Sequence, residues 1–165
     1  MKYKRIAKEL YENNRRRFVD QLDPNSLAVF NSNDIVTTSA DSTMPFVQHR
    51  DILHLSGVDQ EESILIIFPD CQNNKHREIL FLKETNEHIA VWEGEKLTKK
   101  AAFETSGIRT VYWLDQFPTV FKGLMSEAQN IYVNTNEHTR ANTEGESRED
   151  RFISIRVSFF FILNT

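Results

Sequence analysis

Five histidines (His49, His54, His76, His88 and His138) and one cysteine, Cys71, are the side chains best suited to hold a metal or attack a carbonyl. A catalytic zinc needs three protein ligands, and a helical zinc protease sets two histidines four residues apart around a glutamate. No histidine pair here has that spacing. His49 and Asp51 lie two apart, which on an extended segment puts both on one side, but two ligands without a third make no metal centre. The chain also lacks a GxSxG nucleophile elbow, a GxxxxGK[ST] phosphate loop and a GxGxxG dinucleotide turn. Cys71 follows Phe68-Pro69-Asp70 with no obvious cation or helix N-terminus to lower its pKa, so an inert thiol is expected. Glu61-Glu62 and the acidic run from Glu144 to Glu149 could supply acid and base, yet charge clusters in loops are usually solvated surface, and no role is assigned to them. Trp92 and Trp113 sit in apolar patterns and are expected to pack in the core. By residue type and spacing, then, neither a catalytic residue nor a metal ligand set is expected in the chain.

The elements that would position such residues belong to an ordinary globular chain. Its 165 residues, 39% hydrophobic and 27% charged, are enough for one core without disulfides or structural metals. Twenty basic against 24 acidic residues give a formal charge of -4, which disfavours a dedicated nucleic-acid binder. The lone cysteine excludes an intrachain disulfide and fits a reducing, cytoplasmic compartment. The basic N-terminus has no apolar segment behind it, so no secretory signal is expected. No run approaches the roughly 20 apolar residues of a membrane span.

Tyr3, Ile6, Leu10, Phe18 and Leu22 predict one apolar face of a helix over residues 3–22, with Lys4, Arg5, Glu9, Arg15 and Arg16 opposite. Asp23-Pro24-Asn25-Ser26 is a turn. Strands are predicted at 27–30 and 35–38, an irregular excursion at 39–50, and an alternating strand at 51–55 ending at Ser56-Gly57. The unbroken apolar run 63–68 reads as a central strand covered on both faces, with 78–82 as its hairpin partner. A short helix is predicted within 84–93 and a firmer one over 97–106 closed by Gly107. A strand at 109–114, a helix capped by Asp115 and carrying Phe117, Val120, Phe121, Leu124 and Met125, and a strand at 131–133 imply a crossover. Hairpin and βαβ content together give an α/β class with a mixed sheet flanked by helices. Residues 1–140 form the expected domain, and 141–165 a linker and tail.

One stretch is less generic. Ser39-Ala40-Asp41-Ser42, followed by Met44-Pro45-Phe46-Val47-Gln48-His49-Arg50-Asp51-Ile52-Leu53-His54-Leu55-Ser56-Gly57, resembles the N-terminal domain of Xaa-Pro aminopeptidases. Members carry S-x-D, then Pro-aromatic-Arg-Gln, then Asp, aromatic residues and a Thr/Ser-Gly. The likeness continues through Glu61 to Ile67, Glu78 to Leu82, and Val91-Trp92-Glu93-Gly94 ahead of a Leu-x-x-x-Ala helix. The arginine-rich segment from Tyr11 to Leu22 and the strand from Ser26 to Phe30 also match. Val47 departs from the family arginine, and Leu53 from a tryptophan or other large residue.

The resemblance implies an α/β domain of the creatinase and aminopeptidase P N-terminal type. It implies a following pita-bread domain, expected to be absent here, that binds two metal ions, usually manganese, and releases an N-terminal residue preceding proline. The chain itself would then hold no cofactor and be inactive alone. Its partners would be that catalytic domain, neighbouring subunits of a homo-oligomer and proline-containing peptides, with no nucleic acid and no membrane. The resemblance places the domain at a neighbouring subunit's active-site entrance, where Leu53 is the expected border residue. Burial of Leu53 in the core of its strand is the alternative. Two other functions stay open: a stand-alone, non-catalytic peptide- or protein-binding module, and the equivalent domain of a prolidase or creatinase. The Phe-rich run 152–163 departs from a polar family linker, and is expected to reflect an altered or truncated frame, or an added edge strand.

Overall fold

The structure, a computed structural model, describes residues 6–39, 42–85 and 96–134. The predicted helix within 84–93 falls largely outside them, as do Trp92, the polar stretch after Asn134 and the Phe-rich tail. The elements run α1 (Lys8–Val19), β1 (Ser26–Asn31), β2 (Thr37–Ser39), β3 (Ser42–Thr43), α2 (Arg50–Ser56), β4 (Ile64–Ile67), β5 (Glu78–Leu82), α3 (Lys99–Ser106), β6 (Thr110–Trp113), α4 (Phe117–Glu127) and β7 (Asn130–Val133). The main sheet has the order β6-β5-β4-β1-β7. β4 pairs antiparallel with β1 and β5, while β6 and β7 add in parallel at the two edges. The sheet is therefore mixed, and the chain between β6 and β7 carries α4 across its whole width.

Apolar runs become central strands because both of their faces find cover. Leu65 and Ile67 of β4 join Ala28, Phe30, Leu80 and Leu82 on one face, packed by Ile52 and Leu55 of α2 and Ala102 of α3. Ile64 and Ile66 turn to the other face with Leu27, Val29, Ile79 and Phe81, beneath Phe121 and Leu124 of α4. Each fully buried aliphatic side chain contributes about 1.5–3 kcal/mol, which makes these two layers the main source of stability. The hairpin of 64–67 with 78–82, the helix closed by Gly107 and the crossover after β6 match the sequence reading, while the span of that crossover from edge to edge comes from the structure. Trp113 packs half-buried against the first face, with the Lys99 ammonium 4.6 Å above its ring.

Four expectations are corrected. Residues 51–55 are helix, because five alternating residues also fit a helical turn: Ile52, Leu55 and Ser56 point inward while Leu53 faces out. Its place in a buried strand is thereby excluded. On α1 the buried residues are Tyr11 and Arg15, with Phe18 and Leu22 packed alongside, whereas Ile6 and Leu10 are about half exposed. Ile35 and Val36 lie exposed before β2, which starts only at Thr37, late in the predicted 35–38 strand, and pairs with β3 from the predicted irregular excursion. Asp115 caps nothing: it sits within a single 3-10 turn over Leu114–Gln116, and α4 starts after it with Pro118 in its first turn.

Candidate functional site

Residues 33–39 and 42–49, with α2, carry five of the exposed large apolar side chains of the described chain. Val36, Met44 and Val47 are each more than half exposed, and Ile35 and Leu53 are also open to solvent. The Met44 N–H donates to the Val36 carbonyl at 2.9 Å, and Asn33 Nδ2 donates to the Val47 carbonyl at 2.9 Å, so hydrogen bonds join the two described limbs of this arm. Its return is held by Gln48, which is buried. The Gln48 Nε2 group donates towards the Val58 and Gln60 carbonyls at 3.0 and 2.8 Å, and its Oε1 accepts from the His49 N–H at 2.8 Å. A buried amide of this kind must find partners, so Gln48 ties the arm to the loop before β4. His49 is the N-cap of α2. Its Nδ1 accepts from the Asp51 N–H at 3.3 Å, so the His49 and Asp51 pair serves the helix start.

Arg15 is the residue whose environment the spacing argument missed. It is 1% exposed, and its Nη1 donates to the Leu55 carbonyl of α2 and the Ser106 carbonyl of α3, both at 2.9 Å. Its Nη2 meets Glu78 Oε2 of β5 at 3.0 Å. Two helices thus point their carbonyl ends, the negative poles of their dipoles, at one guanidinium. Both end alike. Ser56-Gly57-Val58 and Ser106-Gly107-Ile108 each put glycine in the left-handed conformation, with the serine hydroxyl donating four residues back and accepting from the N–H two residues on. The repeated Ser-Gly-aliphatic ending marks both helix stops in the sequence, but that Arg15 spans them is visible only in the fold.

Among the described residues no three His, Cys, Asp or Glu side chains come together as a metal site. Cys71 is 1% exposed. Burial first, and then the Glu127 carboxylate 3.7 Å from its Sγ, pushes the thiol above its ordinary pKa. Alkylation of Cys71 at neutral pH is therefore expected to be slow in the native chain and fast in denaturant; equal labelling rates would contradict the burial. Glu62 pairs with Lys83 at 2.9 Å and Glu61 with Lys96, so neither is free for acid and base work.

Burial works against charge on Glu61, but the Lys96 contact, its own backbone N–H and Lys83 outweigh it and hold the carboxyl below its usual value. A depressed carboxylate stabilises the fold above its unfolded pKa and loses that contribution as pH falls through the folded one. Relative to wild type, Glu61→Gln is expected to be less stable at pH 7, and the difference to vanish once pH drops well below about 4. Denaturation midpoints across pH measure it.

The family model of the aminopeptidase P N-terminal domain matches residues 11–132. The chain belongs to that family. Xaa-Pro aminopeptidase of Escherichia coli (strain K12) is 24% identical over 137 residues, which cover 83% of this chain and 31% of that protein. Among solved structures, Pseudomonas aeruginosa aminopeptidase PepP has a TM-score of 0.73 at 20% identity, covering 82% of this chain and 30% of that one. Aminopeptidase P from E. coli with the inhibitor Pro-Leu has a TM-score of 0.72 at 23% identity, covering 84% and 31%. The fold of this aminopeptidase P N-terminal domain is therefore shared with them. The chain spans about a third of the length of its bacterial relatives.

Within this aminopeptidase P N-terminal domain, the stretch that carried the likeness holds residues of two kinds. Gln48, Ser56 and Gly57 are structural, while Val47 and Leu53, the two departures, face solvent. Among the described residues no helix is long and apolar enough to cross a membrane.

Proposed function

We propose that this chain is the N-terminal part of a manganese-dependent Xaa-Pro aminopeptidase, acting in the cytoplasm on peptides whose second residue is proline. Residues 1–140 are its domain and 141–165 the connector. The observation that carries this is the family match over 11–132, in a chain spanning 31% of an Xaa-Pro aminopeptidase. The described residues do not fit a metal pair, so no step of hydrolysis is assigned to them. The two manganese ions belong to a following domain, where they would supply a bound hydroxide.

The N-terminal domain's part is to join neighbouring subunits and border the path of substrate. Exposed apolar side chains on the described limbs of the arm and on α2 support that role, because such patches mark surfaces that partners cover. Leu53, open on α2, is the proposed border residue. The decisive assay gives an X-Pro tripeptide and manganese to the 165-residue chain and to a version extended through the downstream reading frame. The extended protein is expected to release the first residue and the short chain none. Release by the short chain would refute the assignment, and a folded but inactive long chain would favour the binding module. Leu53→Ala in the extended protein is expected to change KM more than kcat.

A further inference from the structure

A second feature lies away from the arm. Between α1, the 74–77 turn and the start of β6 is an open cleft of about 700 Å³, whose lining includes Ile67, Pro69 and Gly107. Five cationic and two acidic side chains line it, a local excess of three positive charges on a chain whose formal charge is -4. Arg15 and Glu78, both on the lining, pair with one another at 3.0 Å. The other cations, Arg16, Lys75, Arg77 and Arg109, are all exposed, and among the described residues none has a carboxylate partner. They are nonetheless placed by the fold. Thr110 Oγ1 donates to the Lys75 carbonyl at 2.5 Å, which ties the turn to β6 beside Arg109. Arg77 Nε reaches the Cys71 carbonyl at 3.5 Å, and Arg16 Nη1 donates to Asn13 Oδ1 at 3.1 Å.

We propose that this cleft binds a linear oligophosphate, either free or as the phosphate chain of a nucleotide. Like charges around one cleft repel each other, and an anion of several charges removes that cost. Three of the four are arginines, whose planar forks match pairs of phosphate oxygens. The volume falls within the range of about 300–1,000 Å³ typical of small-molecule sites. Glu12, also on the lining, is the one carboxylate not already engaged by Arg15, and it opposes the ligand. The proposal is independent of the aminopeptidase assignment.

Calorimetric titration of the full 165-residue chain with inorganic triphosphate, ATP and citrate at low salt tests it. Triphosphate is expected to saturate one site per chain, and citrate, a tricarboxylate of lower charge, to bind at least about tenfold more weakly. The variant Lys75→Glu/Arg109→Glu is expected to weaken triphosphate binding by about tenfold or more, Lys100→Glu outside the cleft to leave it unchanged, and Glu12→Gln to tighten it. Equal affinity for triphosphate and ATP assigns the free chain, and tighter ATP assigns a nucleotide; both uphold the site. No saturation, citrate binding as well as triphosphate, or equal losses in the cleft and Lys100 variants overturns it. Should the double variant lose its native circular dichroism, Arg16→Gln, an exposed single change on α1, reads the same site.

Discussion

Replacing Arg15 with methionine is expected to lower the unfolding free energy by about 3–5 kcal/mol, the range for removing one partner of a buried charged network. The methionine fills much of the space but donates nothing. It leaves the Leu55 and Ser106 carbonyls, at two helix ends, without their donor, and Glu78 without its cation. Glu78→Gln is expected to cost far less, about 1 kcal/mol or below, because its side chain is 38% exposed and water screens that half of the pair. Arg15→Lys should fall between the two, since an ammonium keeps the charge but lacks the fork that spans two carbonyls. Urea unfolding of the three variants gives the comparison. Equal losses for Arg15→Met and Glu78→Gln would mean that the ion pair matters and the helix ends do not.

The second large effect is at Gly57. Its φ of 69° lies in the left-handed region, and a Cβ there would stand 2.4 Å from the Tyr11 ring. Alanine is expected to cost about 1–2 kcal/mol in backbone strain and about 1–3 kcal/mol more in overpacking, because Tyr11 is itself buried under α2. Gly107 offers an internal control. Its φ is 77°, but the first atoms a Cβ would meet belong to the far end of Glu12, a flexible side chain that can swing away. Gly107→Ala should therefore show the backbone cost alone. The combination Gly57→Ala with Tyr11→Leu should recover the overpacking share and no more, read as a coupling energy in a double-mutant cycle. If Gly57→Ala and Gly107→Ala cost the same, the contact between α1 and α2 is looser than the structure has it.

These two expectations share a cause that bears on how much of the fold could be read beforehand. Ile64 to Ile67 could be placed at the sheet centre because an unbroken apolar run has no polar side to leave in water. α3 was legible because Gly107 marks a left-handed stop, and α4 because Phe117, Phe121 and Leu124 repeat at helical spacing. α2 was not. Asp51 to Leu55 fits period 2 as well as a helical turn, and in so short a segment the choice falls to what packs against it. Gln48 and Arg15 stood in motif-like stretches, but nothing in a linear pattern reveals that a polar side chain is surrounded.

The sequence by itself therefore determined the α/β class, the doubly covered strand, the glycine stops and the resemblance that named the family. Each of these depends on neighbours in the chain or on local backbone preference. Only the tertiary structure decided which face of α1 is buried, because that depends on two carbonyl ends arriving from residues 40 and 91 positions away. It alone decided that Leu53 points outward and that four cations share one cleft. A charge is hydrophilic in any linear reading; its burial becomes favourable only when partners far along the chain converge on it.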